Sequence, residues 1–324
     1  MKCIFCRKEM SDNDVSREHV VPAALGGTLV IREVCKECNS TLGSNIDIGL
    51  TENYFINFHI SKYGITKHGK PVNPFKNDLY DVDGAKMRMV IDKSTGNFIP
   101  QRVHPDIQIR DIAGSNKKEI HCIYSPGQEN SCIHDIIKQL ERKFHANKEL
   151  ITANLKSVKK ISIPYTNELH YTGEINIYEL YIAIIKIAYE LAYYWLGQEY
   201  LESEFSKEIS QTLIKKDFKN GIKYIGNAKG HLLHHKSYFI SAIMIPKPYT
   251  NDLYIVINIF NIFSIPVKIY NNNIFFSKID IINNMPYILF DCKGKSYTND
   301  TITNTIIGEM NNISNSSYLF DVNS

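Results

Sequence analysis

The sequence lacks several features, and each absence removes a class of protein. A net charge of only +3 over 324 residues does not mark the chain as a polyanion binder, so any such surface must come from local clustering. No internal repeat is visible, which argues against a solenoid. A basic segment followed by an apolar core is missing before Cys3, so no secretory leader is expected and the cytoplasm is the expected location. No uncharged run long enough to span a bilayer is present either. The nearest candidate, IYELYIAIIKIAYELAYYWLG at 177–197, is broken by Glu179, Lys186 and Glu190. Charges in mid-span cost about 2.5–3.5 kcal/mol each on insertion scales, so this segment is read as the central helix of a large core rather than a membrane span. Lys186 and Glu190 are four residues apart and would pair on one face of that helix.

Seven cysteines is an odd number and does not suggest a disulfide framework. Cys3, Cys6, Cys35 and Cys38 form two C-x2-C pairs, and each such turn presents two thiolates to one tetrahedral ion. The expectation is one structural Zn2+ per chain, with no coordination position left for a substrate. Cys122, Cys132 and Cys292 are scattered and read as free thiols.

Two stretches are locally basic. Residues 136–160 carry seven Lys/Arg against two Glu, and residues 207–236 carry seven Lys against Glu208 and Asp217. Each either follows a phosphate backbone or is a solvated face. The first 50 residues are near neutral, with six Lys/Arg against seven Asp/Glu. The trio His231, His234 and His235 has no acidic or thiol neighbour beside it and reads as a polar loop or core contact rather than a metal site.

The fold class expected is α+β. Residues 1–58 form a small zinc-stapled module, too short for a large apolar core and therefore dependent on metal. Residues 59–324 form a larger α+β domain of unknown role, built on the central apolar helix and on antiparallel strands. Within it, STGN between KMRMVID and FIPQRV predicts a hairpin, 133–156 predicts a helix with a basic face, and 157–165 predicts a short strand. The apolar helix runs from Ile175 to a stop at Gly197, and a second helix covers about 202–216. From Ser237 on, the runs SYFISAIMI, LYIVINIFNIF, IPVKIY and MPYILF predict strands. The Asn/Ser/Thr-rich tail from 296 is expected to be partly disordered.

Between the two cysteine pairs stands SREHVVPAALGG, and the second pair reads VCKECNSTLG. Together they resemble the HNH, or His-Me finger, endonuclease family in its zinc-knuckle subgroup. That family builds a ββα-metal unit: a strand ending in a catalytic histidine, a loop, a second strand and a helix. The resemblance is specific over residues 3–47. More weakly, the remainder is similar to stand-alone bacterial HNH proteins with a long C-terminal region of no known activity.

The resemblance implies a metal-dependent endonuclease that hydrolyses DNA phosphodiester bonds, with RNA as the alternative substrate. His19 would be the general base that activates water. Glu18 and Asn39 would hold one catalytic Mg2+ or Mn2+. Asp47, eight residues after Asn39, would be a further ligand, or, as the preferred reading, would support those ligands from behind or end the helix. The segment TLVIREV lacks the asparagine with which many members orient the histidine ring. The competing reading is a catalytically inactive zinc module that binds DNA or protein; Glu18, His19 and Asn39 together argue against it, because a mere staple needs none of them. The biological role expected is phage defence, ahead of mobile-element movement or restriction. No membrane partner is expected, and protein company stays open between a homo-oligomer and a defence-system partner.

Overall fold

The computed structural model describes residues 1–67, 69–75, 79–92, 97–115, 118–145, 147, 161, 168–171, 175–226, 237–247, 252–270 and 285–301. The chain divides into two compact units, Met1–Pro74 with Glu174–Ser324, and Phe75–Gly173. This division differs from a cut after residue 58, because the first unit is discontinuous in sequence. Cys3, Ile4 and Phe5 of the first knuckle share one buried cluster with Leu180–Ala192 of the long helix and with Ile255 and Val267 of the C-terminal strands. A module of this length cannot bury enough apolar surface alone, and here it shares the core of its unit.

The N-terminal elements are short. β1, Glu18–His19, pairs antiparallel with β2, Val30–Ile31, with Glu18 opposite Ile31 and His19 opposite Val30. Between them the chain turns through Pro22 and Gly26. Gly26 has φ +90°, and a Cβ on it would lie 2.2 Å from the carbonyl oxygen of Cys292, so only glycine fits this close backbone approach. Helix α1, Lys36–Asn45, starts at Cys35, whose sulfur accepts the Cys38 N–H. It buries Cys38 and Leu42, one turn apart on a single face. Then come α2, Ile48–Thr51, and α3, Tyr54–Lys62, the latter capped by the Asn53 side chain accepting from the Ile56 N–H, and after them the antiparallel pair β3, Thr66–Lys67, and β4, Lys70–Pro71.

The long helix, Ile177–Leu196, begins at Asn176, whose side chain accepts from the N–H groups of Tyr178 and Glu179. It ends at Gly197, at φ +68°. Every residue from Ile182 to Ala192 is buried, Lys186 and Glu190 included, so this stretch is enclosed all round. The second helix is Glu204–Lys215. Among the described residues no helix is long and apolar enough to cross a membrane.

The C-terminal strands are β11 (Phe239–Lys247), β12 (Asp252–Ile259), β13 (Phe263–Tyr270), β14 (Pro286–Asp291) and β15 (Ser296–Thr301). They form an antiparallel sheet in the order β13-β12-β11-β14-β15, and the long helix packs on β12 and β13. The last strand opens the tail expected to be partly disordered: Tyr297 and Thr298 pair with Phe290 and Leu289, so this part is ordered despite its polar composition. The rest of that tail, 302–324, lies outside the described residues, as do 227–236 with their histidines and the strand expected within 157–165, apart from residue 161.

In the second unit, β5 (Leu79–Asp81), β6 (Lys86–Ile91), β7 (Phe98–Arg102) and β10 (Leu169–Tyr171) form a sheet ordered β10-β5-β6-β7. The β6–β7 pairing is the hairpin that STGN predicts. Strands β8 (Asp106–Asp111) and β9 (Lys118–Ile123) pair with each other. Helix α4, Glu129–Phe144, starts earlier than the sequence predicts and buries Cys132, Ile136 and Leu140. Cys122 on β9 and Cys132 on α4 are joined in a disulfide, not free as their spacing suggested, because the helix lays Cys132 against that strand. Cys292 is free and buried.

Candidate nuclease site and zinc cluster

The sulfurs of Cys3, Cys6, Cys35 and Cys38 all lie within 4.8 Å of one another. Cys6 and Cys35 are 3.8 Å apart, about the edge of a tetrahedron with Zn–S bonds of about 2.3 Å. Backbone N–H groups of Cys35 and Cys38 point at the sulfurs of Cys3 and Cys35, each at 3.4 Å. Such donors orient thiolates toward an ion and stabilise their charge. The donor set and its size fit Zn2+, and the cluster closes on four protein ligands.

A separate cleft of about 320 Å3 opens beside this cluster. Glu18 and His19 of β1, Asn39 of α1 and Asp47 all line it, with Arg17, Thr51 and Lys67 among the other walls. The hairpin and helix bring together every residue proposed from the sequence for the catalytic centre. Asn39 follows the second knuckle directly, so the zinc cluster sets where its side chain starts. Asp47 sits at the start of α2, but its side chain makes no cap there. Among the described residues no hydrogen bond fixes either ring nitrogen of His19.

The electrostatics follow from burial. The pKa of His19 is lowered by desolvation first, then by the positive charges of Arg17 and Lys186, so its ring is neutral near pH 7. Burial pushes Glu18 and Asp47 upward, and Lys186 offsets part of that rise in both.

Lys186 is the functional candidate that motif reading missed. Its ammonium lies 2.5 Å from Glu18 Oε1, 3.0 Å from Asp47 Oδ1 and 3.6 Å from Glu190 Oε1. The Lys186–Glu190 pairing expected from their spacing is therefore present, but it belongs to a four-residue buried cluster. Burial alone would lower the Lys186 pKa; Glu190, Asp47 and Glu18 more than reverse this and keep it charged. Glu190 is fully buried, among the described residues neither of its carboxyl oxygens has a hydrogen-bond partner, and burial raises its pKa well above the usual range. The available signal was two opposite charges inside an apolar helix, since buried charges demand partners.

Residues 3–55 match the model of the family described as HNH endonuclease. The N-terminal segment, with its zinc-capable cysteine cluster, is thus similar to HNH endonucleases, which supports a nuclease-type function in general and nucleic acid as the class bound. No curated protein and no solved structure matches the chain.

Proposed function

We propose that the protein is a metal-dependent DNA endonuclease. One observation carries the reading: Glu18, His19 and Asn39 line a single cleft inside the segment that matches the HNH family. The cleft suits a hard divalent cation, since Glu18, Asn39 and Asp47 offer oxygen donors and no sulfur lines it. Glu18 and Asn39 would hold Mg2+ or Mn2+, which when bound would neutralise charge on the scissile phosphate and on the leaving 3′ oxygen.

The neutral imidazole of His19 accepts the proton of the attacking water. The Arg17 guanidinium on the cleft wall attracts phosphate oxygens. The products are a 5′-phosphate and a 3′-hydroxyl. With a large region accompanying the HNH-like segment, the protein suits a role in phage defence.

The test is plasmid and RNA cleavage with Mg2+ or Mn2+, with and without EDTA, for wild type and His19→Ala. EDTA should stop cleavage of DNA. His19→Ala should lower the single-turnover rate by about 10²–10⁴-fold, because the water loses its proton acceptor, while DNA binding stays unchanged. A variant as fast as wild type would move the active site elsewhere. DNA binding by a wild type that never cuts would favour an inactive zinc module.

A further inference from the structure

We propose that Lys186, on the long helix, is a positioning residue of the nuclease site: its ammonium holds Glu18 and Asp47 from the core side, so that both carboxylates face the metal position in the cleft. The inference rests on the nuclease reading above.

The geometry separates a front and a back to the site. Glu18 and Asp47 line the cleft, whereas Lys186 does not, and its side chain is fully buried. The ammonium meets one oxygen of each carboxylate, Oε1 of Glu18 and Oδ1 of Asp47. Among the described residues Oε2 of Glu18 has no hydrogen-bond donor, which leaves it for a ligand on the open side. A carboxylate with one oxygen fixed from behind loses its freedom to rotate, and this is how supporting residues orient the ligands of a metal.

Two features place the ammonium. Glu190, one turn along the helix, stands 3.6 Å behind it. Helix α2, which begins just after Asp47, meets the long helix at Gly49, where a Cβ would lie 2.0 Å from the carbonyl oxygen of Glu179. That contact fixes the spacing between Asp47 and Lys186.

A cluster built only for stability has little reason to gather three carboxylates around one buried ammonium. Glu18 and Asp47, which both meet the one ammonium, are two carboxylates against one positive charge, and a divalent cation at the cleft would offset the difference. The consequence is that the HNH segment is incomplete by itself: the side chain that orders its ligands comes from more than 130 residues further along the chain.

The experiment uses full-length wild type, Lys186→Met and the double variant Lys186→Met/Glu190→Met. The double variant removes the helix pair together and so leaves no lone charge at Glu190. Mn2+ binding is read by EPR without DNA, and single-turnover plasmid cleavage is read against Mn2+ concentration. Wild type should bind Mn2+ and cut. The variants should bind Mn2+ at least as tightly, since two carboxylates have lost their cation, but cut about 10–100-fold more slowly at saturating Mn2+.

A folded variant that matches the saturated wild-type rate overturns the proposal. A faster variant overturns it too, because the ammonium would then be blocking the metal. Failure of both variants to fold would assign Lys186 to the core alone. A wild type that neither binds Mn2+ nor cuts overturns the nuclease reading itself, a result distinct from the other three.

Discussion

Tyr189, in the middle of the long helix, donates its hydroxyl proton to the carbonyl oxygen of Ile4 in the first zinc knuckle, 2.5 Å away. Arg7 of the same knuckle donates to the Tyr189 hydroxyl and to Ser206 Oγ, and the Phe5 ring packs on Tyr189 at 5.1 Å. The knuckle is thereby seated on the helix that runs through the core of its unit. The cysteine cluster and the packing of the long helix are parts of one structure.

Cys35→Ser should therefore do more than release the first 50 residues, which is what a separate module would predict. Loss of one thiolate removes zinc, and the shared core loses the face made by Cys3, Ile4 and Phe5. The expected result is one cooperative transition of the first unit, at lower temperature, followed by far-UV circular dichroism together with zinc content. A long helix that keeps its full signal while the knuckles melt would show that the two are independent.

Glu18→Ala and Asn39→Ala should weaken the response to Mg2+ without removing the base. Each takes one oxygen donor from the cleft. Cleavage should then need about 10–100-fold more Mg2+ and recover in part as the ion is raised. Unchanged activation curves in both variants would place the metal elsewhere. Glu18→Ala also leaves Lys186 without its nearest partner, so zinc content and melting temperature should be recorded beside the rates.

Gly26→Ala should destabilise the protein. Its φ of +90° alone costs a residue with a Cβ about 1–3 kcal/mol, and the Cys292 carbonyl stands where that Cβ would go. Urea unfolding should show a lower midpoint with little change in slope. A loss under about 0.5 kcal/mol would mean that the loop and the Cys292 backbone separate without cost.

His59 should make stability fall in mild acid. Its ring stacks on Phe260 at 5.3 Å, and Nε2–H donates to the Ser237 carbonyl oxygen. Burial, aided by Lys62, lowers its pKa, although the Ser237 carbonyl works the other way. The unfolded chain, with a pKa of about 6.5, then binds more protons than the folded one. Stability is complete above that value and declines as pH drops through it toward the lower folded pKa. Urea midpoints from pH 7 to pH 5 should decline more steeply for wild type than for His59→Gln. Parallel declines would remove His59 as the cause.

Much of the site was legible because its signals are local. Four cysteines in two short turns are set by neighbours within a few residues, so their spacing pointed to zinc, whereas Glu18, His19 and Asn39 were singled out by the resemblance of the segment around them to the HNH family. The long helix was readable from its apolar run and from Gly197, and the C-terminal strands from their β-branched residues. Local rules did not show which part of the tail is ordered, since pairing with β14 orders the polar Ser296–Thr301, and they failed at Cys122 and Cys132, which only the packing of α4 on its hairpin brings together.

The sequence by itself determined which groups are present: four thiols in two short turns, a carboxyl beside an imidazole, and an amide directly after the second turn. Only the tertiary structure decided how that chemistry is held. Lys186 lies 168 residues from Glu18 and 139 from Asp47, and no spacing rule connects them. A charge buried in a core must find opposite charges there, and which ones it finds depends on how α2, β1 and the long helix pack against one another.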